Sequence, residues 1–146
     1  MARHAFPGAV VAIGRRDTVL YLRAFGHLSY GGTGAQGDGG TVTDNTVYDI
    51  ASLAKVVGLT SALMMLVAEQ RIDLDAPVTR YVPEFAAGGD SITVRMLLTH
   101  ESGLPAWKPF YQTAHGRDAV FAAVLREPLE RPPHTQMAYS DLGAII

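Results

Sequence analysis

The sequence contains no cysteine, which excludes a disulfide framework and any metal site built from thiolates. The sequence also has little excess of charge of either sign. Among 146 residues, 12 are Lys or Arg and 14 are Asp or Glu, so the formal net charge is −2. A nucleic-acid-binding surface needs clustered basic residues, so this balance argues against a nucleic-acid partner. Apolar residues make up 48% of the chain, which is typical of a globular domain with its own core.

The N-terminus lacks the pattern of a secretory signal peptide. Residues 1–14 have no long apolar stretch after the basic residues, and Pro7-Gly8 interrupts them. A cytoplasmic location is therefore the default expectation. One apolar run, residues 50–68, is long enough to cross a bilayer. It contains Lys55 and several small polar residues, so we expect a helix buried on most sides in a globular domain, and no membrane span.

Hydrophobic patterning predicts a mixture of strands and helices. Residues 9–13 and 19–25 are apolar and β-branched around a short polar turn, which predicts a hairpin. Ser91 or Thr93 is predicted to cap a short helix. Helices are predicted over about residues 52–70, 94–99 and 118–126, another is predicted to begin within residues 142–146, and residues 46–50 are predicted to be extended.

The predicted elements do not make a finished domain. A single hairpin is marginally stable by itself, and the last predicted helix has no C-terminal capping signal. We therefore interpret residues 1–146 as one partial domain, either a fragment of a longer protein or a truncated gene product.

A serine and a lysine stand one helical turn apart inside the apolar run. Lys55 is the only ionisable residue between positions 50 and 68, and Ser52 precedes it by three residues. A buried ammonium is costly unless it is paired or its pKa is lowered. Residues at this spacing share one helix face, so the amine can take or hold the proton of the serine during covalent catalysis. The alternative is that Ser52 caps the helix and Lys55 reaches out to solvent.

Motifs along the chain resemble those of the serine β-lactamase and D,D-peptidase superfamily, in particular its class C-like and family VIII esterase-like branch. Their common order and spacing are more specific than any one of them, and the resemblance extends from about residue 6 to residue 146. The motifs are F-P-G-A-V-V at 6–11, S-L-A-K at 52–55, D-L-D-A-P-V at 73–78, L-L-T-H-E-S-G-L-P at 97–105 and Y-S-D at 139–141.

The resemblance implies an α/β fold of the β-lactamase and transpeptidase type, of which only the N-terminal portion is present. It implies a serine hydrolase that acts through an acyl-enzyme on a small ester, amide or peptide, without a cofactor or metal. An esterase is the first expectation, and a D,D-peptidase or β-lactamase the second. Ser52 matches the nucleophile, Lys55 its partner and Tyr139 the general base or relay. The alternative is a truncated, inactive remnant or a binding-only domain.

The sequence departs from the family pattern in two places. Asp141 stands where β-lactamases usually have asparagine, so a substrate-binding amide becomes a carboxylate. This weakens the β-lactam interpretation, leaves ester hydrolysis open, and admits a simpler role as a helix N-terminal acid. The family's third motif, a Lys- or His-led triad ending in glycine, is not found in residues 1–146. We expect it, together with the second oxyanion donor, beyond Ile146.

Two other patterns do not predict sites. Residues 32–37 match G-x-G-x-x-G, but more glycine follows instead of a helix, which predicts a loop and no nucleotide site. His100-Glu101 resembles the start of a zinc motif, but Leu104 stands where the second histidine is required.

Trp107 and Tyr111 are compatible either with the mouth of a substrate site or with packing.

Overall fold

The computed structural model describes residues 5–30 and 39–146, and the chain divides into two compact units, residues 1–49 and 50–146. The G-x-G-x-x-G sequence at residues 32–37 lies outside the described ranges. The motif residues Ser52, Lys55, Tyr139 and Asp141 all belong to the second unit.

The first unit contains the predicted hairpin. Strand β1 (Gly8–Arg15) pairs antiparallel with β2 (Thr18–Gly26), and the register shifts by a bulge between Ile13 and Gly14. Gly8 is required where β1 begins, because a Cβ there would lie 2.4 Å from the carbonyl oxygen of His27. The hairpin is confirmed, with strands slightly longer than predicted.

Residues 46–50, predicted to be an extended lead-in, belong to no helix or paired strand. They follow a turn in which the hydroxyl of Thr46 accepts the backbone N–H of Thr43 at 2.9 Å. Such a local side-chain bond offers the backbone an alternative to strand pairing.

The second unit is mainly helical. A π-helical segment (Lys55–Thr60) continues into α1 (Ser61–Ala68), and α2 (Val94–Leu98), α3 (Arg117–Leu125) and α4 (Asp141–Ile145) follow. Short 3-10 turns occur at Val78–Arg80, Gly89–Ser91 and Phe110–Gln112. The predicted helical regions are therefore confirmed. Within the described ranges, none of the helices has the length and apolarity that a bilayer crossing requires.

Polar side chains cap the two short helices that carry motif residues. The hydroxyl of Thr93 accepts the N–H of Met96 at 3.3 Å, and the hydroxyl of Ser140 accepts the N–H of Gly143 at 3.1 Å. Of the two predicted caps for α2, Thr93 is therefore correct. Ser91 lies in a 3-10 turn instead.

A buried core in the second unit joins α2, α3 and α4. Phe85, Ile92 and Leu104 are almost fully buried, and Leu142 of α4 packs into the same cluster. This core fixes α4, and with it the residues just before α4, relative to α2. The other buried members are Val78, Ala87, Val94, Leu97, Val124 and Leu125.

The apolar helical run around Lys55 is not part of this core. Its predicted burial is therefore wrong, since the described residues of the second unit leave it largely exposed. No side chain of the π-helical segment or of α1 is buried. Val57, Met64 and Met65 are each 65–67% exposed. An exposed apolar helix face of this kind is typical of a surface that another part of the protein or a partner covers, or of a surface that aggregates.

We predict that residues 1–146 expressed alone aggregate or melt without cooperativity, and show no appreciable turnover. The reason is the exposed apolar face just described. Thermal unfolding followed by circular dichroism, with light scattering, measures the outcome. A matched variant with Val57→Gln, Met64→Gln and Met65→Gln should scatter less light. A cooperative melt of the unmodified monomer would contradict the prediction.

Candidate active site

Ser52 lies at the turn where the helical run begins. The N–H of Leu53 donates to the carbonyl oxygen of Ile50 at 3.1 Å, and the N–H of Lys55 donates to that of Ser52 at 3.0 Å. Ala51, immediately before, has a φ of 48°, in the left-handed region. A non-glycine residue pays roughly 1–2 kcal/mol for this conformation, and such strain often occurs at functional sites.

Lys55 directs its amine at the Ser52 hydroxyl. Its Nζ donates to Ser52 Oγ at 3.2 Å, as the spacing of three residues predicts. Lys55 is also the first residue of the π-helical segment, and its carbonyl oxygen accepts the hydroxyl of Thr60 at 2.9 Å. Wide π-helical turns are rare and often occur at functional sites. The Lys55 side chain is 25% exposed, so it is half-buried and does not extend into solvent.

Tyr139 joins this pair from the other end of the second unit. Its hydroxyl donates to Ser52 Oγ at 3.0 Å across a sequence separation of 87 residues. The Lys55 Nζ also lies 5.2 Å from the centroid of the Tyr139 ring. The structure therefore brings together all three residues predicted to be catalytic, and the tyrosine is 47% exposed toward solvent.

Asp141 contacts Lys55 directly. Its Oδ1 lies 2.7 Å from Lys55 Nζ, and the aspartate side chain is 37% exposed. Asp141 is the first residue of α4, so the cap and core of that helix hold its backbone in place. The carboxylate of Asp141, which the sequence predicted to bind substrate, thus contacts the lysine, and its substrate-binding role stays a prediction.

The ionisable groups shift each other's pKa in opposite directions. The interaction of the Lys55 ammonium with the Asp141 carboxylate, followed by that with the Tyr139 hydroxyl, raises the pKa of Lys55 above its ordinary value. The interaction with Lys55, followed by the hydrogen bond with Ser52, lowers the pKa of Tyr139 below its ordinary value. Lys55 therefore stays cationic over a wider pH range, and the Tyr139 phenol becomes easier to deprotonate.

An open cavity of about 620 Å³ lies beside Ser52. Trp107 and Tyr111 are both on its lining, with ring centroids 6.5 Å apart, so the structure supports the substrate-mouth alternative for these two residues. Lys108 also lines the cavity and pairs with the carboxylate of buried Glu127. The lining also includes apolar residues from the helical run and from α4: Leu59, Leu142, Ala144 and Ile145.

The loop that follows α2 holds the two residues after Tyr139 by hydrogen bonds. Gly103 has a φ of 82°, and a Cβ there would lie 2.2 Å from the carbonyl oxygen of Arg131, so glycine is required. The hydroxyl of Ser140 donates to the carbonyl oxygen of Pro105 at 2.7 Å, and the N–H of Asp141 donates to that of Ala106 at 2.8 Å. The L-L-T-H-E-S-G-L-P motif therefore forms the support for the Y-S-D motif.

Sequence reasoning missed His100 in this loop. Its ring packs on Tyr139 with centroids 4.6 Å apart and an interplanar angle of 40°. The available signal was its position inside the motif at residues 97–105. The comparison of His100-Glu101 with a zinc motif considered only the spacing of metal ligands. That spacing does not predict that His100 packs on a tyrosine 39 positions later.

The Beta-lactamase family model matches residues 1–146. The chain belongs to the β-lactamase family. The esterase EstB of Burkholderia gladioli is 37% identical over 105 residues, which cover 68% of this chain and 25% of the esterase. The N-acetylmuramyl-L-alanine amidase of Bacillus subtilis (strain 168) is 28% identical over 156 residues, which cover 97% of this chain and 35% of the amidase.

The solved structures agree with this family assignment. A class C β-lactamase matches with a TM-score of 0.79 and 25% identity, over 99% of this chain and 39% of the β-lactamase. The predicted mixed α/β fold of the β-lactamase type is therefore confirmed. The chain spans about a quarter to two fifths of the length of these proteins, in agreement with the expected partial domain.

Proposed function

We propose that the protein containing these residues is a serine hydrolase that acts through an acyl-enzyme, with esters as its preferred substrates. The observation that carries the proposal is the position of Ser52 Oγ, which lies 3.2 Å from Lys55 Nζ and 3.0 Å from the Tyr139 hydroxyl. A serine hydroxyl is a weak nucleophile until an adjacent base accepts its proton. These contacts provide a cation and a phenol at that hydroxyl.

Tyr139 is the general base in this proposal. As a phenolate, it accepts the proton of Ser52 while Oγ bonds to the ester carbonyl carbon. The Ser52 backbone N–H, at the start of the helical run, donates to the developing oxyanion. Tyr139 then returns the proton to the leaving alcohol. In the second half-reaction Tyr139 accepts a proton from a water whose oxygen bonds to the acyl carbon. The bond from that carbon to Ser52 Oγ then breaks, Tyr139 returns the proton to Oγ, and the acid is released.

Lys55 acts as a fixed cation in this proposal. The resemblance alone left open whether Lys55 or Tyr139 manages the serine proton. The contact with Asp141 raises the pKa of Lys55, which disfavours the neutral amine that a general base requires. The resulting ammonium favours the phenolate of Tyr139, whose pKa it lowers.

The charges around the cavity favour a neutral substrate. Both lysines on the described lining have a carboxylate partner: Lys55 pairs with Asp141, and Lys108 with Glu127. A substrate carboxylate would therefore find no uncompensated lysine on this part of the lining, and would meet the charge of Asp141. The similarity to an esterase also supports an ester, whereas the similarity to an amidase keeps an amide as the second substrate class.

Initial rates on three substrate classes test the proposal. Protein expressed from the natural gene is assayed with p-nitrophenyl butyrate, a chromogenic cephalosporin and a peptide ending in D-alanyl-D-alanine. The ester should have the highest kcat/KM, with a burst of p-nitrophenol whose amplitude matches the enzyme concentration. Faster turnover of the cephalosporin or the peptide would overturn the substrate assignment. No turnover of any of the three would favour the binding-only alternative.

We predict that Asp141→Asn moves the whole pH–rate profile to lower pH. Asp141 raises the pKa of Lys55 and also, by repulsion, that of Tyr139. Its removal therefore lowers both, so the acid limb set by Tyr139 and the basic limb set by Lys55 move in the same direction. The measurement is kcat/KM against pH. Asp141→Glu, which keeps the charge, is the control, and a basic limb that stays in place in Asp141→Asn would contradict the prediction.

A further inference from the structure

We infer that His100 is a positioning residue for Tyr139, holding the backbone on both sides of the tyrosine and packing against its ring. The inference rests on the proposed role of Tyr139 as the proton acceptor of Ser52. It assigns to His100 no contact with substrate.

His100 contacts three consecutive residues. Its carbonyl oxygen accepts the N–H of Ala138 at 2.8 Å, and its Nδ1 accepts the N–H of Ser140 at 3.1 Å. Between these two bonds, its ring packs against the Tyr139 ring at 4.6 Å. An Nδ1 that accepts this bond carries no proton, so the neutral imidazole has its proton on Nε2.

The histidine is itself held firmly. It has a φ of 59°, in the left-handed region, directly after the end of α2. Its N–H donates to the carbonyl oxygen of Leu97, a core residue, at 3.3 Å. On the other side, Ser140 is 2% exposed and its hydroxyl bonds to Pro105. His100 therefore connects Tyr139 to the buried core of the second unit.

Tyr139 depends on such an anchor because its side chain is nearly half exposed. The charged groups that face its ring are Lys55 and, beyond it, Asp141. His100 itself shares a small cleft of about 40 Å³ with Lys55, and its sequence neighbour Glu101 points to His134. A displaced phenol would move away from both Ser52 Oγ and the ammonium that lowers its pKa.

Two variants separate the contacts of His100. His100→Ala removes the ring and the acceptor. His100→Asn removes the ring but keeps an acceptor near Nδ1, and asparagine tolerates the left-handed backbone. We expect His100→Ala to lower kcat roughly 10- to 100-fold with KM changed little, since small misplacements of a reacting group have effects of this size. His100→Asn should recover part of that loss.

The pH dependence of fluorophosphonate labelling at Ser52 is the second readout. In His100→Ala the acid limb should move to higher pH, because Tyr139 loses part of the influence of Lys55. Thr93→Ala, which removes the cap of α2, is the matched control: it should lower the melting temperature and leave the acid limb in place. A merely structural role of His100 would give the same result as this control, and would overturn the inference.

A third readout separates failure of this inference from failure of the proposed function. The 13Cζ NMR resonance of Tyr139 reports the titration of its phenol without any turnover, and Tyr139→Phe assigns it. In His100→Ala the midpoint should rise, and an unchanged midpoint would overturn the inference even in protein that labels poorly. If wild-type protein does not label at Ser52 but the midpoint still rises, the proposed reaction fails and the positioning role stands.

Discussion

Replacing Ser52 with alanine is expected to reduce kcat/KM for ester hydrolysis by about four to six orders of magnitude, the range seen when a catalytic nucleophile is removed. The substitution deletes the oxygen that both Lys55 Nζ and the Tyr139 hydroxyl contact. No acyl-enzyme can then form, so the burst phase should also disappear. The measurement is steady-state and pre-steady-state hydrolysis of p-nitrophenyl butyrate by protein expressed from the natural gene.

Ser61→Ala is the matched control for this experiment. Ser61 is an exposed serine at the start of α1, on the same helical run, and it is not on the described lining of the cavity. This variant should keep activity within about twofold of the wild type, as surface substitutions usually do. If Ser52→Ala retained a tenth or more of the wild-type activity, the assignment of the nucleophile would be wrong.

Substitution of Lys55 should have the second-largest effect, a loss of roughly 10²- to 10⁴-fold in kcat. In Lys55→Met the ammonium that lowers the pKa of Tyr139 is gone, so the phenolate forms only at higher pH. The acid limb of the pH–rate profile should therefore move upward. The measurement is kcat against pH for the wild type and the variant.

Lys55→Arg distinguishes charge from geometry. A compact ammonium reaches Ser52 Oγ and Asp141 Oδ1 at the same time, at 3.2 Å and 2.7 Å. The planar guanidinium is larger and directs its donors in a fixed fork, so we expect it not to restore activity. Because arginine keeps the positive charge, the acid limb of the pH–rate profile of Lys55→Arg shows whether the charge alone is enough to lower the pKa of Tyr139. Wild-type activity in Lys55→Arg would contradict a role that depends on the geometry of the lysine.

The sequence predicted those parts of the fold that depend on local pattern. The hairpin at Gly8–Gly26 follows from β-branched runs around a polar turn. Helix α3 follows from a run of apolar residues with an acidic residue, Asp118, in its first turn. The contact between Ser52 and Lys55 also follows from helical spacing. The approach of Tyr139 does not, because no periodicity relates positions 87 residues apart. That contact was predicted only from the resemblance to a family.

The incorrect and missing predictions involve long-range packing. Apolar composition predicted that the helical run is buried, but burial depends on what covers a helix, and the described residues leave Val57 and Met64 exposed. The pairing of Asp141 with Lys55 and the packing of His100 on Tyr139 depend on the placement of α4 against α2. A motif places residues in order along the chain, but only the folded core brings their side chains together.

The most direct test of the central claim is the site of acylation. Protein expressed from the natural gene is treated with a fluorophosphonate, digested and analysed by mass spectrometry to locate the adduct. We expect a single adduct on Ser52, lost in Ser52→Ala, retained in Ser61→Ala and formed more slowly in Lys55→Met. An adduct on another serine, or one that persists in Ser52→Ala, would show that Ser52 is not the nucleophile.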